Sequence, residues 1–236
     1  MKADIILPAA GQGRRMGSEI NKQYLSLLGK PVLAHTITSC LASEAFENII
    51  VVVTPGEEEI FHRDVLLPWF SGQRITVVTG GRERQDSVRN ALGVVGTDAD
   101  FICVHDGARP LVRPELFLRC LKAASVHGAA IAAVLVKDTI KVVHSDGKVE
   151  TTPLRHTLRS VQTPQVFRRD LLDTVYKRAH EDGFYATDDA ALLEHYGYPV
   201  YVVDGDYENI KVTTPDDLVL ADAFLGRRAN ADRNRL

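Results

Sequence analysis

The residues able to do chemistry gather in three short segments, each placed directly after an apolar run. The first reads Pro8-Ala9-Ala10-Gly11-Gln12-Gly13-Arg14-Arg15-Met16-Gly17. Gly11 and Gly13 let the backbone turn tightly and approach a phosphate, while small Ala9 and Ala10 leave room for a base or sugar. Arg14 and Arg15 would open a helix, where cations oppose the macrodipole, so a bound anion accounts for them better than solvent does. An ordinary strand-to-helix turn would use the same glycines. Two known alternatives are excluded: Met16 stands where the third glycine of a dinucleotide fingerprint would fall, and the GK[ST] of a P-loop is missing. Lys22, in Asn21-Lys22-Gln23-Tyr24-Leu25, follows closely enough to reach the same phosphates.

The second segment, Gly80-Gly81-Arg82-Glu83-Arg84-Gln85-Asp86-Ser87-Val88, places glycines, arginines and a serine at a strand-to-helix junction. It can contact an anion or a base, and Asp86 or Ser87 is the expected N-cap of the helix that follows. The third, His105-Asp106-Gly107-Ala108-Arg109-Pro110, ends an apolar strand. Asp106 is where a hydrated Mg²⁺ riding on a nucleotide would be met, and Arg109 is assigned to an anion. His105 could be a general base, but a lone histidine on a strand is more often a hydrogen-bonded core residue, and that reading is preferred. Asp138-Thr139, Arg155, Gln162-Thr163-Pro164-Gln165, Thr187-Asp188 and Asn209-Ile210-Lys211-Val212 are polar sets that singly decide nothing.

Elements that position these segments follow from hydrophobic patterning. Residues 5–7, 49–53, 75–78 and 101–104 are continuous apolar runs rich in β-branched residues, the mark of strands covered on both faces. Helical patterns are expected at 31–41, 86–95, 115–126, 171–180, 189–196 and 216–225, and a further strand at 200–203. Buried strands alternating with helices predict a doubly wound, Rossmann-like, mostly parallel α/β sheet with ligands at the carboxyl ends of its strands. Between Asp138 and Thr152 the pattern changes: short β runs flank Ser145-Asp146-Gly147-Lys148, so a protruding hairpin arm is expected over about 138–159. The polar end, GRRANADRNRL, is expected to fray. A single domain over 1–236 is expected, since this length buries one substantial core.

Composition removes other classes. The 28 Lys+Arg against 31 Asp+Glu give a formal charge of -3, leaving no global basic field for nucleic acid. The amino-terminal apolar run is too short for a secretory segment and no stretch approaches a membrane span, so a cytosolic protein is expected. Cys40, Cys103 and Cys120 form no CxxC pair, and neither a disulfide nor a zinc site is expected.

Taken in order over nearly all of residues 1–225, PAAGQGRRMG, NKQYL, GGRERQDSV, HDGARP, DTIK, QTPQ, TDDA and NIKVTTPDDL closely resemble the 2-C-methyl-D-erythritol 4-phosphate cytidylyltransferase family of the non-mevalonate isoprenoid pathway. The resemblance implies that Ala9, Ala10, Gly11, Gly13, Arg15 and Lys22 surround the phosphates and ribose of CTP, with Gly81, Arg84 and Ser87 near cytosine and its sugar. It implies that Asp106, Arg109, Thr139, Arg155, Thr163, Thr187 and Lys211 line the methylerythritol phosphate site or bridge the two substrates. It also implies a homodimer whose arm reaches into the neighbour's site.

The chemistry so implied is in-line displacement at the α-phosphorus of a nucleotide by a phosphate monoester, which needs gathered cations and no covalent intermediate. Arg15, Lys22 and Lys211 are expected to stabilise the transition state, with Mg²⁺ on the triphosphate and Asp106 nearby. A ribitol or ribulose 5-phosphate cytidylyltransferase is the nearer rival. A nicotinamide-dependent oxidoreductase and a catalytically silent nucleotide-binding module are the distant ones, disfavoured respectively by the missing fingerprint and by the retained cations.

Overall fold

The computed structural model describes residues 1–11 and 21–233. Among them the elements run β1 (Ala3–Pro8), β2 (Ser26–Leu27), β3 (Lys30–Pro31), α1 (Val32–Ala42), β4 (Asn48–Val53), α2 (Glu58–Phe61), α3 (Leu67–Phe70), β5 (Ile75–Thr79), α4 (Arg84–Leu92), β6 (Phe101–Val104), α5 (Pro114–His127), β7 (Ala129–Leu135), β8 (Val142–Val143), β9 (Val149–Thr151), β10 (Arg159–Arg168), α6 (Arg169–Asp182), α7 (Asp189–His195), β11 (Tyr201–Asp204) and α8 (Pro215–Arg233).

One sheet of seven strands, in the order β11-β7-β10-β6-β1-β4-β5, organises the described residues. β1 pairs in parallel with both β4 and β6, opposing Ile5 to Ile49 on one side and to Cys103 on the other. β5 and β11 extend the parallel set, and β10 alone runs antiparallel, between β6 and β7. The expected mostly parallel α/β sheet is therefore the observed one.

Alternate strand residues serve opposite faces, as the pleat requires. Ile5, Leu7, Val51, Val53 and Cys103 pack with α1 and α5, where Phe117 is fully buried. Ile6, Ile50, Val52, Ile102 and Val104 pack with α4, α6 and α7 on the other face. The three cysteines are free and buried.

The structure departs from expectation in several places. β7, β10 and the helical turns over 58–70 are additional elements; a π-helical segment, His62–Leu66, joins α2 to α3. α4 begins at Arg84 rather than at 86. Its N-cap is Glu83, in a reciprocal capping box with Asp86, which corrects the N-cap expected at Asp86 or Ser87. α8 continues to Arg233, through residues expected to fray. Its extension is anchored by Arg228, which donates to Leu111 O at 3.0 Å and to Glu208, and by the Arg227–Glu208 ion pair. The hairpin is present as the β8–β9 ribbon, closed through Gly147 at φ 88° and exposed along its length. No helix among the described residues is long and apolar enough to cross a membrane.

Phe117 is 0% exposed and meets Phe46 and His105 edge-on at 5.4 and 5.2 Å. Phe117→Ala is expected to destabilise the fold by about 3–5 kcal/mol, the usual cost of an emptied aromatic site. Urea unfolding should show a lowered midpoint with an unchanged slope; an unchanged midpoint overturns this packing account.

Candidate active site

The chain passes from β1 to β4 and β5 on one side, then returns to β6 on the other, which makes the carboxyl end of β1 a topological switch point. A cavity of about 940 Å³ opens there, within the size range of ligand pockets. Its walls come from four strand ends: Pro8 to Gly11 after β1, Thr54 and Pro55 after β4, Gly80 to Arg84 after β5, and Asp106 and Ala108 after β6. Lys22, Gln23, Ser87 and Lys211 complete them.

Close backbone approach holds these loops together. A Cβ at Gly107 would lie 2.9 Å from Leu33 Cδ1 and 3.2 Å from Ala9 Cβ, and one at Gly81 would lie 2.4 Å from Asp86 Cβ. Gly107 N–H donates to Pro8 O at 3.1 Å, Gly81 N–H donates to Ser87 Oγ at 3.0 Å, and the Gln23 amide donates to Ala9 O.

At one rim sits Asp106, 6% exposed. Lys211 Nζ lies 3.0 Å from its Oδ2, Arg109 Nε lies 3.2 Å from the same oxygen, and Arg84 Nε lies 3.7 Å from Oδ1. Burial by itself would push the carboxyl up, but Lys211, Arg109 and Arg84 outweigh it and hold the group well below the usual carboxylate range. Arg109 is itself fixed by donating to Asn209 O at 2.7 Å, and burial lowers its pKa despite Asp106. Burial works against the charge of Arg84 too, yet Asp189 and Asp106 leave its pKa raised.

Beneath Asp106 lies Thr163, whose hydroxyl accepts the Asp106 N–H at 3.0 Å and meets His105 Nδ1 at 3.0 Å. His105 is fully buried, and burial depresses its imidazole to about 3. It is thus neutral at ordinary pH and braces Thr163 from within the core.

The cavity brings together Ala9, Ala10, Gly11, Lys22, Gly81, Arg84, Ser87, Asp106 and Lys211 from the sequence-derived set. Arg109 and Thr163 stand behind Asp106, and Thr187 lines a neighbouring hollow that shares Arg82, Glu83 and Arg84 with the cavity. Thr139 and Arg155 lie in the exposed arm, outside the lining; Arg155 donates to Lys137 O at 3.1 Å. Gly13 and Arg15 lie outside the described residues. Gly80 and Arg82 line it as members of the expected contact loop, whereas Gln23, Thr54, Pro55, Glu83 and Ala108 are lining residues to which the sequence assigned no role. The placement of Thr54 directly after a buried run was the available signal for it.

A crevice at the switch point, walled by glycine-rich backbone and by cations on a buried carboxylate, defines an α/β protein of the nucleotide-binding class. The sequence matches the IspD family, described as 2-C-methyl-D-erythritol 4-phosphate cytidylyltransferase, over residues 3–227. The chain belongs to that family. Relatives bearing the same description include a protein of Desulforamulus reducens, 47% identical and aligned over 94% of this chain and 95% of the relative. Another, from Caldanaerobacter subterraneus, is 44% identical over 95% of this chain and 99% of the relative. Among solved structures, 4-diphosphocytidyl-2C-methyl-D-erythritol synthase of Anaerococcus prevotii superposes with a TM-score of 0.84 at 32% identity, covering 95% of this chain and 98% of the other. The 2-C-methyl-D-erythritol 4-phosphate cytidylyltransferase of Thermus thermophilus gives 0.78 at 32% identity with the same coverage.

The buried neutral state of His105 has a measurable consequence. Its pKa is lowered on folding, so the unfolded chain takes up a proton first. The resulting stability is whole above about 6.5 and drains as pH falls from there toward 3. Urea unfolding at pH 7 and pH 5 is expected to show wild type losing on the order of 1 kcal/mol per pH unit more than His105→Gln. Equal pH slopes would show the imidazole to be charged in the fold.

Proposed function

We propose that the chain joins CTP to 2-C-methyl-D-erythritol 4-phosphate, giving 4-diphosphocytidyl-2-C-methyl-D-erythritol and pyrophosphate for isoprenoid precursor synthesis. The observation that carries this reading is the set Arg84, Arg109 and Lys211, held on one buried carboxylate at the rim of the cavity. Membership of the family supports the same pair of substrates.

The reaction brings a phosphate monoester dianion to the α-phosphorus of a triphosphate, and Coulomb repulsion opposes the encounter. An oxygen of the monoester forms the new P–O bond as the bond to the β-phosphate breaks, and pyrophosphate leaves with that electron pair. Ala9, Ala10, Gly11 and Gly13 offer backbone to the triphosphate and ribose, while Gly81, Arg84 and Ser87 face cytosine and its sugar. Arg15, Lys22 and Lys211 stabilise the charge that develops at the α-phosphoryl group. Asp106, Arg109, Thr187 and Lys211 receive the polyol phosphate, and Thr163 acts from beneath by holding Asp106.

Mg²⁺ is proposed to arrive on the triphosphate oxygens, where it offsets their charge. Asp106 does not fit as a direct ligand, because both of its oxygens already face cations. No group of three or more His, Cys, Asp or Glu side chains able to hold a metal occurs among the described residues.

The arm is proposed to complete the site of a second copy. An isolated two-stranded ribbon is marginally stable in water, and Val142, Val143 and Val149 are 40%, 50% and 49% exposed on this one. Arms exchanged about a two-fold axis would set Thr139 and Arg155 of one chain beside Arg109 and Lys211 of the other.

Pyrophosphate release with CTP, ATP, GTP or UTP, each paired with methylerythritol phosphate or ribitol 5-phosphate, tests the substrates. Turnover is expected for CTP with methylerythritol phosphate; equal rates with ATP, or preference for ribitol phosphate, overturn the reading. Arg15→Ala and Lys22→Ala are each expected to lower kcat by about 10²-fold or more, whereas a change confined to KM would remove their transition-state role. Composite sites are tested by mixing Arg155→Ala and Lys211→Ala chains under subunit exchange. Activity should recover toward roughly a quarter of wild type, since about half the dimers are mixed and each holds one intact site. No recovery despite exchange places Arg155 in its own chain's site.

A further inference from the structure

We infer that Asp189 and Tyr176, neither of which lines the cavity, are positioning residues that hold the Arg84 guanidinium at the nucleotide and keep it from collapsing onto Asp106. The inference rests on the functional reading above and assigns these two residues a part in it.

Arg84 is the first residue of α4. A cation there meets the positive end of the helix dipole, so it needs carboxylates to hold it. Two are present at unequal range. Asp189 Oδ2 accepts from Arg84 Nη2 at 2.7 Å, while Asp106 Oδ1 lies 3.7 Å from Nε. The hydrogen-bonded partner is therefore Asp189, 1% exposed at the first turn of α7, where a negative charge suits the dipole. Its other oxygen accepts from the Tyr176 hydroxyl, itself buried on α6. With Oδ1 committed to Tyr176 and Oδ2 to Arg84, the carboxylate plane is set, and the guanidinium is set in turn.

Of these three side chains, only Arg84 reaches the cavity wall. Its freedom matters because Asp106 Oδ2 already serves both Lys211 and Arg109. An Arg84 released by Asp189 would turn fully to Asp106, compete with Lys211 for that carboxylate and withdraw from the cavity. Asp189 thus separates two cations that would otherwise crowd one anion. α6 and α7, which contribute nothing to the cavity lining, act on it through this relay.

The test uses the full-length chain and two readouts, CTP affinity by titration calorimetry and steady-state pyrophosphate release. Asp189→Asn is expected to raise Kd and KM for CTP by about 10-fold or more, the scale of one charged hydrogen bond lost. KM for the polyol phosphate should change less than the value for CTP. Tyr176→Phe, which keeps the carboxylate charged, should shift CTP affinity in the same direction by a smaller factor, and it carries the test if Asp189→Asn does not fold. Arg84→Ala combined with Asp189→Asn should bind CTP no worse than Arg84→Ala alone, because the second residue acts only through the first. Unchanged CTP affinity in a folded Asp189→Asn chain, or additive losses in the double variant, overturns the proposal. A wild type that neither binds CTP nor releases pyrophosphate overturns the functional reading, and this inference with it.

Discussion

Asp106 is the charge on which the site is assembled. A carboxylate 6% exposed is costly to bury unless its oxygens are met, and here three cations from three separate parts of the chain meet them. Arg84 comes from the start of α4, Arg109 from the loop after β6, and Lys211 from the segment between β11 and α8. Removing the carboxylate would leave these cations to repel one another at the mouth of the cavity. The same group that satisfies the interior therefore fixes the spacing of the charges exposed to a ligand.

That arrangement depends on the sheet in a specific way. β10 runs antiparallel beside β6 and carries Thr163, which caps the Asp106 N–H, while Gln162 accepts from Asn209 Nδ2 at 3.3 Å and donates to Asp206 O at 2.9 Å. Asn209 Nδ2 also donates to Thr163 O at 2.8 Å, and Val212 N–H donates to Ala108 O at 2.8 Å. The segment bearing Lys211 is thereby tied to β10 and to the loop after β6. Glu208 extends the tie outward, meeting Arg113 and Arg228 at 3.3 and 2.7 Å and pairing with Arg227 on the same carboxylate. α8 contributes to the site through these pairs, although it is far from the glycine-rich loops in sequence.

Much of this was legible because buried parallel strands are written as apolar runs. Residues 49–53 and 101–104 announce β4 and β6, and the polar residues after such runs fall at the cavity by topology alone. β7 was not legible, since Ala129–Leu135 is alanine-rich and shows neither a clean β-branched run nor a period of two. β10 was hidden more deeply. Its centre reads Gln162-Thr163-Pro164-Gln165, and a proline among polar residues argues against a central strand. Those residues are buried because Asp188, Asn209 and Asp206 supply their hydrogen bonds, a compensation that exists only after distant segments meet. The capping of α4 by Glu83 was missed for a related reason: the capping-box pattern favours Ser or Thr at the cap with Glu or Gln after it, and here two acids share the roles.

The charges at the rim are nearly balanced within the chain itself. Arg84, Arg109 and Lys211 face two buried carboxylates, Asp106 and Asp189, so the described core of the site keeps a small positive excess. A larger excess would strain the fold by self-repulsion, and full neutrality would leave nothing to attract a polyanion. His105 fits the same requirement. Held neutral by burial, it supports Thr163 without adding a further cation beside Asp106. A substitution that keeps every contact but changes the charge at either acid should therefore disturb ligand binding before it disturbs the sheet.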